Sequence, residues 1–436
     1  MKKVILSLVA LSTVLVSCNR EGSTTDPTSS EARIVNYEKG ELSGDLVEMN
    51  ETFQIVGKEA AALSYSYKAY AEPPFVNSIR TNATSVTSIR DVVFVTWHTL
   101  AGPYGGAITA YKLNNGTGKY EFTDRIDFVD TDFHEAEASI NTGLGTYEVF
   151  AVGQRDPDQS GYLLANHEGA VVTRIDYDYI NDAFDGSSFK ELPLPSFAGN
   201  DIVAAAGSYY VVTGNGTGNA GGTPGGIYRT DYALTNVSEA TSMNDGIGLA
   251  IYPGSGSASN AVISVMDRTG ASQFQVRRTL SVDNNPGTLT GAPIGGLNIN
   301  VPGTNVERGG LTWAVKEGSS SAAFNADSLL VATGESGLYT GAATPVADFG
   351  TCLATAYDPG VRVIYYAGGD GGLYVLAAEG YPGGALINTF DLIGSFTPPT
   401  GGAFPGQYDI KDVSVYGSEN IALATGLGGM YFIKRN

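Results

Sequence analysis

The sequence predicts an all-β fold, a seven-bladed β-propeller of four-stranded antiparallel blades. Composition is the first indication, because 57 of the 436 residues are glycine and 42% are hydrophobic, whereas only 16% are charged. Such a chain has many turn formers and enough apolar material for a core, which excludes disorder or a coiled coil for the bulk of the protein. The second indication is a recurring unit of strand, glycine turn and strand, and the third is a short extra strand before each copy.

The first 17 residues resemble a bacterial lipoprotein signal peptide. Lys2 and Lys3 precede an apolar stretch over residues 4–16, which is shorter than the ~20 residues that span a bilayer. This stretch ends in LVSC, a small residue followed by Cys18. Cleavage would leave Cys18 as a lipidated N-terminus, and the alternative is an ordinary signal peptide or a buried helix.

The rest of the chain divides into a tether and one domain. Residues 18–50 are expected to form the lipidated cysteine and a flexible tether, because residues 19–31 are polar, rich in Ser and Thr and free of aromatic side chains. Residues 51–436 are expected to form a single propeller domain. We therefore expect an exported protein held in the bacterial envelope by lipid, at the outer membrane, either periplasmic or exposed at the surface.

The repeat is clearest at residues 329–341, 364–376 and 421–433, and the last of these reads IALATGLGGMYFI. Weaker copies with longer insertions begin at residues 92, 148, 209 and 262. In each copy one glycine precedes the second strand of the unit. These anchors are Gly106, Gly169, Gly226, Gly270, Gly337, Gly372 and Gly429.

The extra strand upstream of each copy is rich in small and β-branched residues, which suit the crowded centre of a radial array. The predicted inner strands are 84–89, 135–140, 201–207, 246–252, 309–315, 352–358 and 412–417. Four antiparallel strands at this period are typical of propeller blades, which leave only short, protected sheet edges. A two-domain β-sandwich with similar turns is the structural alternative.

The last blade lacks a fourth strand, because the sequence stops at Asn436 just after its third strand. Residues 64–70 (SYSYKAY) alternate polar and aromatic side chains, as a half-buried strand does. We therefore predict that this N-terminal strand closes the ring beside residues 430–434.

The repeats also resemble a known family. Residues 412–434 (DVSVYGSENIALATGLGGMYFIK) are similar to the LVIVD-type repeats of bacterial surface proteins, which are WD40-like, YVTN-type propellers. The resemblance covers most of residues 80–436 and is close in the last two blades. It implies a seven-bladed propeller and carries over no catalytic residue.

One face of the ring is predicted to bind a ligand. The long insertions of the first three blades and the starts of the inner strands meet there, and long loops on a rigid scaffold are where binding commonly resides. The alternative is that polar residues simply flank a wet channel. The candidate residues are His98, Tyr104, His134, Glu135, Arg155, Asp156, His167, Asp201, Asp245, Glu307, Arg308, Lys411 and Asp412.

Function is predicted from these features and from charge. The net charge of −20 excludes nucleic acid as a partner, since phosphate binding needs clustered Lys and Arg. We expect a non-catalytic binding or scaffold protein for a protein or glycan. The first alternative is capture of an iron chelate or haem for an outer-membrane transporter, and the second is a hydrolase or lyase. No cofactor is expected. His98, His134 and His167, with Glu135 and Glu137 beside His134, are a candidate metal site, and exposed polar histidines are the alternative.

Overall fold

The computed structural model describes the strands and most turns of the chain. The predicted signal peptide, Cys18 and residues 19–32 lie outside the described residues. In the described part, no helix is long and apolar enough to cross a membrane. The described residues are 33–37, 46–55, 63–100, 104–157, 169–205, 207–214, 225–251, 262–270, 273–280, 300–302, 311–315, 328–334, 337–339, 353–358, 361, 363–377, 391–399, 408–417 and 419–436.

Five strands precede the repeats. They are β1 (Ile34–Asn36), β2 (Leu46–Glu48), β3 (Thr52–Ile55), β4 (Leu63–Ala71) and β5 (Phe75–Val76). Sheet 1 contains β6 (Ile79–Ile89), β7 (Val92–Thr99), β8 (Gly106–Asn114) and β9 (Lys119–Phe128). Sheet 2 contains β10 (Thr131–Asn141), β11 (Thr146–Arg155), β12 (Ala170–Asp178) and β13 (Ala183–Pro193). Sheet 3 contains β14 (Ala198–Ala205), β15 (Ser208–Gly214), β16 (Gly226–Thr230) and β17 (Val237–Ser242).

The second half of the chain continues the same pattern. Sheet 4 contains β18 (Gly246–Ile251), β19 (Val262–Gly270), β20 (Gln273–Leu280) and β21 (Asn300–Pro302). Sheet 5 contains β22 (Leu311–Val315), β23 (Ser328–Gly334) and β24 (Gly337–Tyr339). Sheet 6 contains β25 (Ala354–Asp358), β26 (Val363–Ala367), β27 (Leu373–Ala377) and β28 (Asp391–Phe396). Sheet 7 contains β29 (Asp412–Tyr416), β30 (Asn420–Ala424) and β31 (Met430–Arg435), together with β4.

The sheets are antiparallel and form a propeller-like ring. In each sheet the first strand lies innermost, and each inner strand contacts the inner strand of the next sheet until β29 meets β6. The prediction of an all-β propeller with these inner strands is thereby supported. Five sheets (1, 2, 3, 6 and 7) are described as complete four-stranded blades, which corrects the predicted count of seven. Sheet 4 has a fourth strand of only three residues, and sheet 5 has three strands among the described residues.

The predicted closure of the ring is confirmed. Strand β4 pairs antiparallel with β31, with Met430 opposite Ala71 and Lys434 opposite Ser66. At the end of the chain, the Asn436 amide donates to the Ser64 carbonyl at 2.8 Å. The fourth strand of sheet 7 therefore comes from the opposite end of the sequence.

The core lies between neighbouring sheets and is rich in aromatic residues. Trp97 and Phe94 of β7 are fully buried on opposite sides of sheet 1, as the two-residue period of a strand requires. Between sheets 2 and 3 the rings of Phe150 and Tyr209 stack with centroids 3.7 Å apart. Burying such aromatic side chains contributes roughly 1.5–3 kcal/mol each, so the packing between neighbouring sheets stabilises the ring.

Glycine is required at the turns that enter the third strand of a blade. Gly429 has φ of +85°, and a Cβ there would lie 2.2 Å from the Ala71 carbonyl oxygen of the closing strand. Gly169 has φ of +124°, with the Arg155 carbonyl oxygen 2.8 Å from a Cβ. Both positions combine left-handed backbone with close approach of another strand, which explains these two anchors.

The predicted boundary between tether and domain needs correction. Strand β1 pairs with the outer strand β9, and β2 pairs with the closing strand β4. Both lie within residues 18–50, which were predicted to be flexible. Open sheet edges recruit such short strands because their backbone groups need partners. The folded domain therefore begins before residue 51.

Candidate functional site

The inner strands share a β-bulge at the end where they begin. In the first four sheets the pairing register skips one residue, which is Thr84, His134, Asn200 or Ile247. A bulge adds a residue and re-aims its side chain. The sequence repeat does not reveal this equivalence, because the four residues have little chemistry in common.

The polar bulge residues link each sheet to the next. Thr84 Oγ1 donates to the Phe133 carbonyl at 3.0 Å, and Asn200 Nδ2 donates to the Gly246 carbonyl at 2.7 Å. His134 Nδ1 lies 2.9 Å from the Gly199 carbonyl oxygen. Since a carbonyl oxygen only accepts, Nδ1 of His134 carries the proton. His134 therefore has a structural role in the packing of sheet 2 against sheet 3.

Two carboxylates that were predicted to bind a ligand, those of Asp201 and Asp412, also link neighbouring sheets. Asp201 Oδ2 accepts the Leu249 amide at 2.6 Å, and Asp412 Oδ2 accepts the Val86 amide at 2.8 Å. The other oxygen of each accepts the amide of the next residue in its own strand, at 2.7 Å in both cases. Inner strands of neighbouring blades do not pair with one another, so their channel-facing amides need such partners.

The inner strands enclose a cavity of about 300 Å³ in the central channel. Predicted residues that line it are Glu135, Asp201, Lys411 and Asp412. Glu135 Oε1 accepts the Ala136 amide at 3.1 Å and the Ser85 hydroxyl, whereas the Lys411 ammonium pairs with Asp409.

Glu137, predicted only as a neighbour of His134 in the candidate metal site, also lines the cavity. Burial, followed by the charge of Asp201, raises the pKa of the Glu137 carboxyl to about 8. Alternation along β10 could have identified it, because Glu137 lies two residues beyond Glu135 and so on the same side of the strand.

Two of the three histidines come together. The His98 and His134 rings meet edge to face with centroids 6.4 Å apart. His98 Nε2 lies 3.0 Å from Asn82 Nδ2, so each histidine has a hydrogen-bond partner. His167 lies outside the described residues. Among the residues that the structure describes, no group of three or more His, Cys, Asp or Glu is arranged to hold a metal ion.

Arg155 belongs to a partly buried ion-pair network. Its Nε lies 3.1 Å from Asp130 Oδ2 and its Nη1 lies 3.1 Å from Glu191 Oε1. Arg33, just before β1, binds the same two carboxylates at 2.7 and 2.9 Å. Burial alone would raise the pKa of Asp130, but the two guanidinium groups hold it below its usual value. The sequence did not indicate this network, because Arg33 is distant from its partners along the chain.

Asp132 accepts hydrogen bonds from both ends of the insertion between β7 and β8 in sheet 1. This carboxylate accepts the Gly105 amide at 3.0 Å and the Thr99 amide at 3.3 Å. Burial raises the pKa of Asp132 to about 6, and these hydrogen bonds limit the rise. Tyr104 lies beside them, partly buried at the end of the insertion. Both ends of this first insertion are therefore held by hydrogen bonds to Asp132.

The remaining predicted site residues do not form one group. Asp245 is buried, and its amide donates to Asp267 Oδ1 at 3.0 Å. The Asp156 amide donates to the Asp130 carbonyl at 2.9 Å. Glu307 and Arg308 lie outside the described residues.

Comparisons with known proteins find structural similarity at low sequence identity. No family profile matches the chain, and no curated protein matches it. Sqt1 from Chaetomium thermophilum is 11% identical with a TM-score of 0.49, covering 90% of this chain and 95% of its own. A chain of the Mitotic Checkpoint Complex is 10% identical with a TM-score of 0.45, covering 89% and 94%.

A third match is named as an enzyme. The Trichoderma reesei carbohydrate-active enzyme of family AA12 is 11% identical with a TM-score of 0.42, covering 89% of this chain and 100% of its own. The expectation that the protein is not an enzyme is therefore corrected. At this level of similarity no activity is assigned.

Proposed function

We propose that the protein is a lipid-anchored binding and scaffold protein of the bacterial cell envelope, at the outer membrane. The described ends of the three insertions, at residues 99–100 and 104–106, 155–157 and 169–170, and 214 and 225–226, define the surface that we call the insert face. A partner protein binds at this face. The signal-like residues 1–17 and Cys18 support the anchor, and the resemblance to repeats of bacterial surface proteins supports the location.

The proposal rests on the way in which the three insertions are attached to the ring. The three insertions leave from β7, β11 and β15, which are buried along nearly their whole length. By topology, the connections between second and third strands lie at the same end of the ring as the starts of the inner strands. Long loops held by buried strands are the arrangement that supports recognition. The net charge of −20 favours a partner with a basic surface.

The described residues do not favour capture of an iron chelate or haem. Nδ1 of His134 and Nε2 of His98 are engaged in hydrogen bonds. The channel behind them is lined by carboxylates, which repel the carboxylates or phenolates of a ferric chelate.

Replacing Cys18 with Ala is expected to release the protein from the membrane fraction. The acyl chains would have no other attachment point, and without them an acidic protein has little affinity for anionic lipid. Incorporation of radiolabelled palmitate and cell fractionation measure the effect, with Cys352→Ala as the matched control that retains both label and location. A Cys18→Ala protein that still carries the label would refute the anchor.

A photo-crosslinking amino acid at Tyr104 is expected to give discrete protein adducts in whole cells. Tyr104 lies in the insert face, whereas Ile180, which is 74% exposed in the turn between β12 and β13, lies at the opposite end of the ring. The same amino acid at Ile180 is therefore the matched control and should give at least fivefold less adduct. Equal crosslinking at both positions, or none at Tyr104, would contradict the proposed binding face.

A further inference from the structure

The chain enters the described fold at the end of the ring that carries the insert face. Strand β1 pairs antiparallel with the outer strand β9, and Ile34 lies opposite Phe128. Phe128 is the last residue of β9, after which the chain begins the inner strand β10. Since the inner strands begin at the end of the ring that carries the insert face, Arg33 also lies at that end.

Arg33 fixes this entry point. Its guanidinium donates two hydrogen bonds to Asp130, at 2.7 and 2.9 Å, and two to Glu191, at 3.0 and 2.9 Å. The three side chains are at most 12% exposed. Bidentate pairs of arginine with carboxylates are directional and are the stronger kind of hydrogen bond. The segment that leads from Cys18 therefore joins the ring at a fixed place.

The length of that segment favours one orientation of an anchored ring. Residues 19–32 are fourteen residues, which span about 50 Å at full extension. An inner strand of eleven residues such as β10 is about 35 Å long, which gives the depth of the ring. With the insert face away from the membrane, the segment would have to run along this depth before it reached the bilayer, which restricts its conformations and costs entropy. With the insert face toward the membrane, it reaches the bilayer directly.

Both ends of the ring expose apolar side chains, so exposure alone does not distinguish them. Phe75 and Leu100 lie at the insert-face end, whereas Leu144 and Ile180 lie at the opposite end, and each of the four is more than half exposed. The entry point of the chain is what separates the two ends. It lies beside the first pair.

The hairpin that presents Phe75 is tied to this entry point. In the turn between β5 and β6, Asn77 Nδ2 donates to the Val129 carbonyl at 2.9 Å. The Val129 amide in turn donates to the Arg33 carbonyl at 3.1 Å. The Arg80 guanidinium lies 5.4 Å from the centroid of the Phe75 ring. An exposed aromatic side chain that is already held in place loses little entropy when a partner binds it.

We propose that the insert face is turned toward the membrane and that its partner is an integral membrane protein, with Phe75 and Leu100 at the contact. This inference rests on the lipid anchor and the binding face proposed above, and it adds the orientation of the ring and the class of partner. The contact is with protein rather than with the bilayer, because a net charge of −20 is repelled by anionic lipid. Basic residues in the exposed loops of the partner complement this charge.

Energy transfer from the ring to lipid headgroups tests the orientation. The lipidated protein, with Cys352→Ala, carries a donor dye at Leu100→Cys or, as the matched control, at Ile180→Cys. It is reconstituted in phosphatidylcholine vesicles that carry an acceptor dye on the headgroups. Transfer from position 100 should be at least twofold more efficient, because the two ends of the ring are about 35 Å apart. Equal transfer, or more transfer from position 180, would overturn the orientation.

Crosslinking in whole cells tests the class of partner. The adduct formed by the photo-crosslinking amino acid at Tyr104 should contain, by mass spectrometry, a protein with membrane-spanning segments. Phe75→Ser should lower the adduct yield at least fivefold, whereas Ile180→Ser should leave it unchanged. Thermal melting of both variants confirms that they are folded. An adduct with a soluble protein, or an undiminished yield in Phe75→Ser, would overturn the proposed contact.

Failure of this inference is distinguishable from failure of the proposed function. Lipidated protein without transfer from either position would refute the anchor, and the absence of any Tyr104 adduct would refute the binding face. Either result removes this inference as well. Transfer in the reverse order, or an adduct with a soluble protein, overturns only the orientation or the class of partner and leaves the anchor and the binding face in place.

Discussion

Deleting residues 51–75 is expected to abolish cooperative unfolding of the domain. The deletion removes β3 and β4, and with them the fourth strand of sheet 7. Strand β31 would become an open edge with unpaired backbone groups. We expect the urea transition, followed by tyrosine and tryptophan fluorescence, to lose its sigmoidal shape.

The size of this effect follows from what β4 buries. Tyr65, Tyr67 and Tyr70 are all buried on this strand, and Phe53 of β3 stacks on Tyr65 with ring centroids 5.4 Å apart. The Tyr65 hydroxyl lies 3.2 Å from that of Tyr365 in sheet 6. Removing several aromatic side chains at 3–5 kcal/mol each exceeds the 5–15 kcal/mol stability of an ordinary domain.

Complementation provides the control for this deletion. A synthetic peptide of residues 51–75, added to the truncated protein, should restore the transition, because the strand pairs with its sheet only through non-covalent contacts. A peptide in which Tyr65 and Tyr67 are replaced by Ser is the matched control and should not restore it. A truncated protein that melts like the parent would show that the ring does not depend on this strand.

Replacing Glu137 with Gln is expected to stabilise the protein in a strongly pH-dependent manner. The folded state holds the pKa of Glu137 near 8, whereas the unfolded state returns it to about 4.5. The folded state therefore binds more protons, and the parent loses stability as pH rises from about 4.5 to about 8. The amide cannot ionise, so the variant avoids this loss.

The expected gain at pH 9 is roughly 2–4 kcal/mol in the free energy of unfolding, from about 1.4 kcal/mol for each unit of pKa shift with a discount for partial exposure. The gain should become small near pH 4.5, where the folded carboxyl is protonated and the unfolded one is half protonated, and should vanish below that pH. Urea unfolding at pH 4.5, 6, 7.5 and 9 measures it, with Glu239→Gln as the control that changes little at any pH. A gain that does not vary with pH would mean that Glu137 is not held protonated in the channel.

Most of the fold could be predicted from the sequence because its signals are local. The inner strands were recognisable from their small and β-branched residues, and Gly429 from its place in a tight turn. The closing strand was recognisable because residues 64–70 alternate polar and aromatic side chains. The number of complete blades was overestimated, since sheet 4 has a fourth strand of only three residues and sheet 5 has three described strands.

Only the location of the candidate site could be predicted from the sequence. Glu135, Asp201 and Asp412 do line the channel, but their oxygens accept hydrogen bonds that tie the inner strands together. A sequence does not distinguish a carboxylate that binds a ligand from one that accepts a hydrogen bond from a backbone amide. Glu137 became distinct only when its neighbours were shown to have partners.

The sequence by itself determined the class of fold, the strand order and the closing strand, because alternation and glycine turns act between residues close in the chain. Only the tertiary structure decided which polar groups are already satisfied. The donors for Asp412 and Asp201 come from the next sheet, and those for Asp130 come from Arg33 and Arg155 far along the chain. Hydrogen bonding depends on distances of about 3 Å between atoms, and those distances exist only after the sheets have met around the channel.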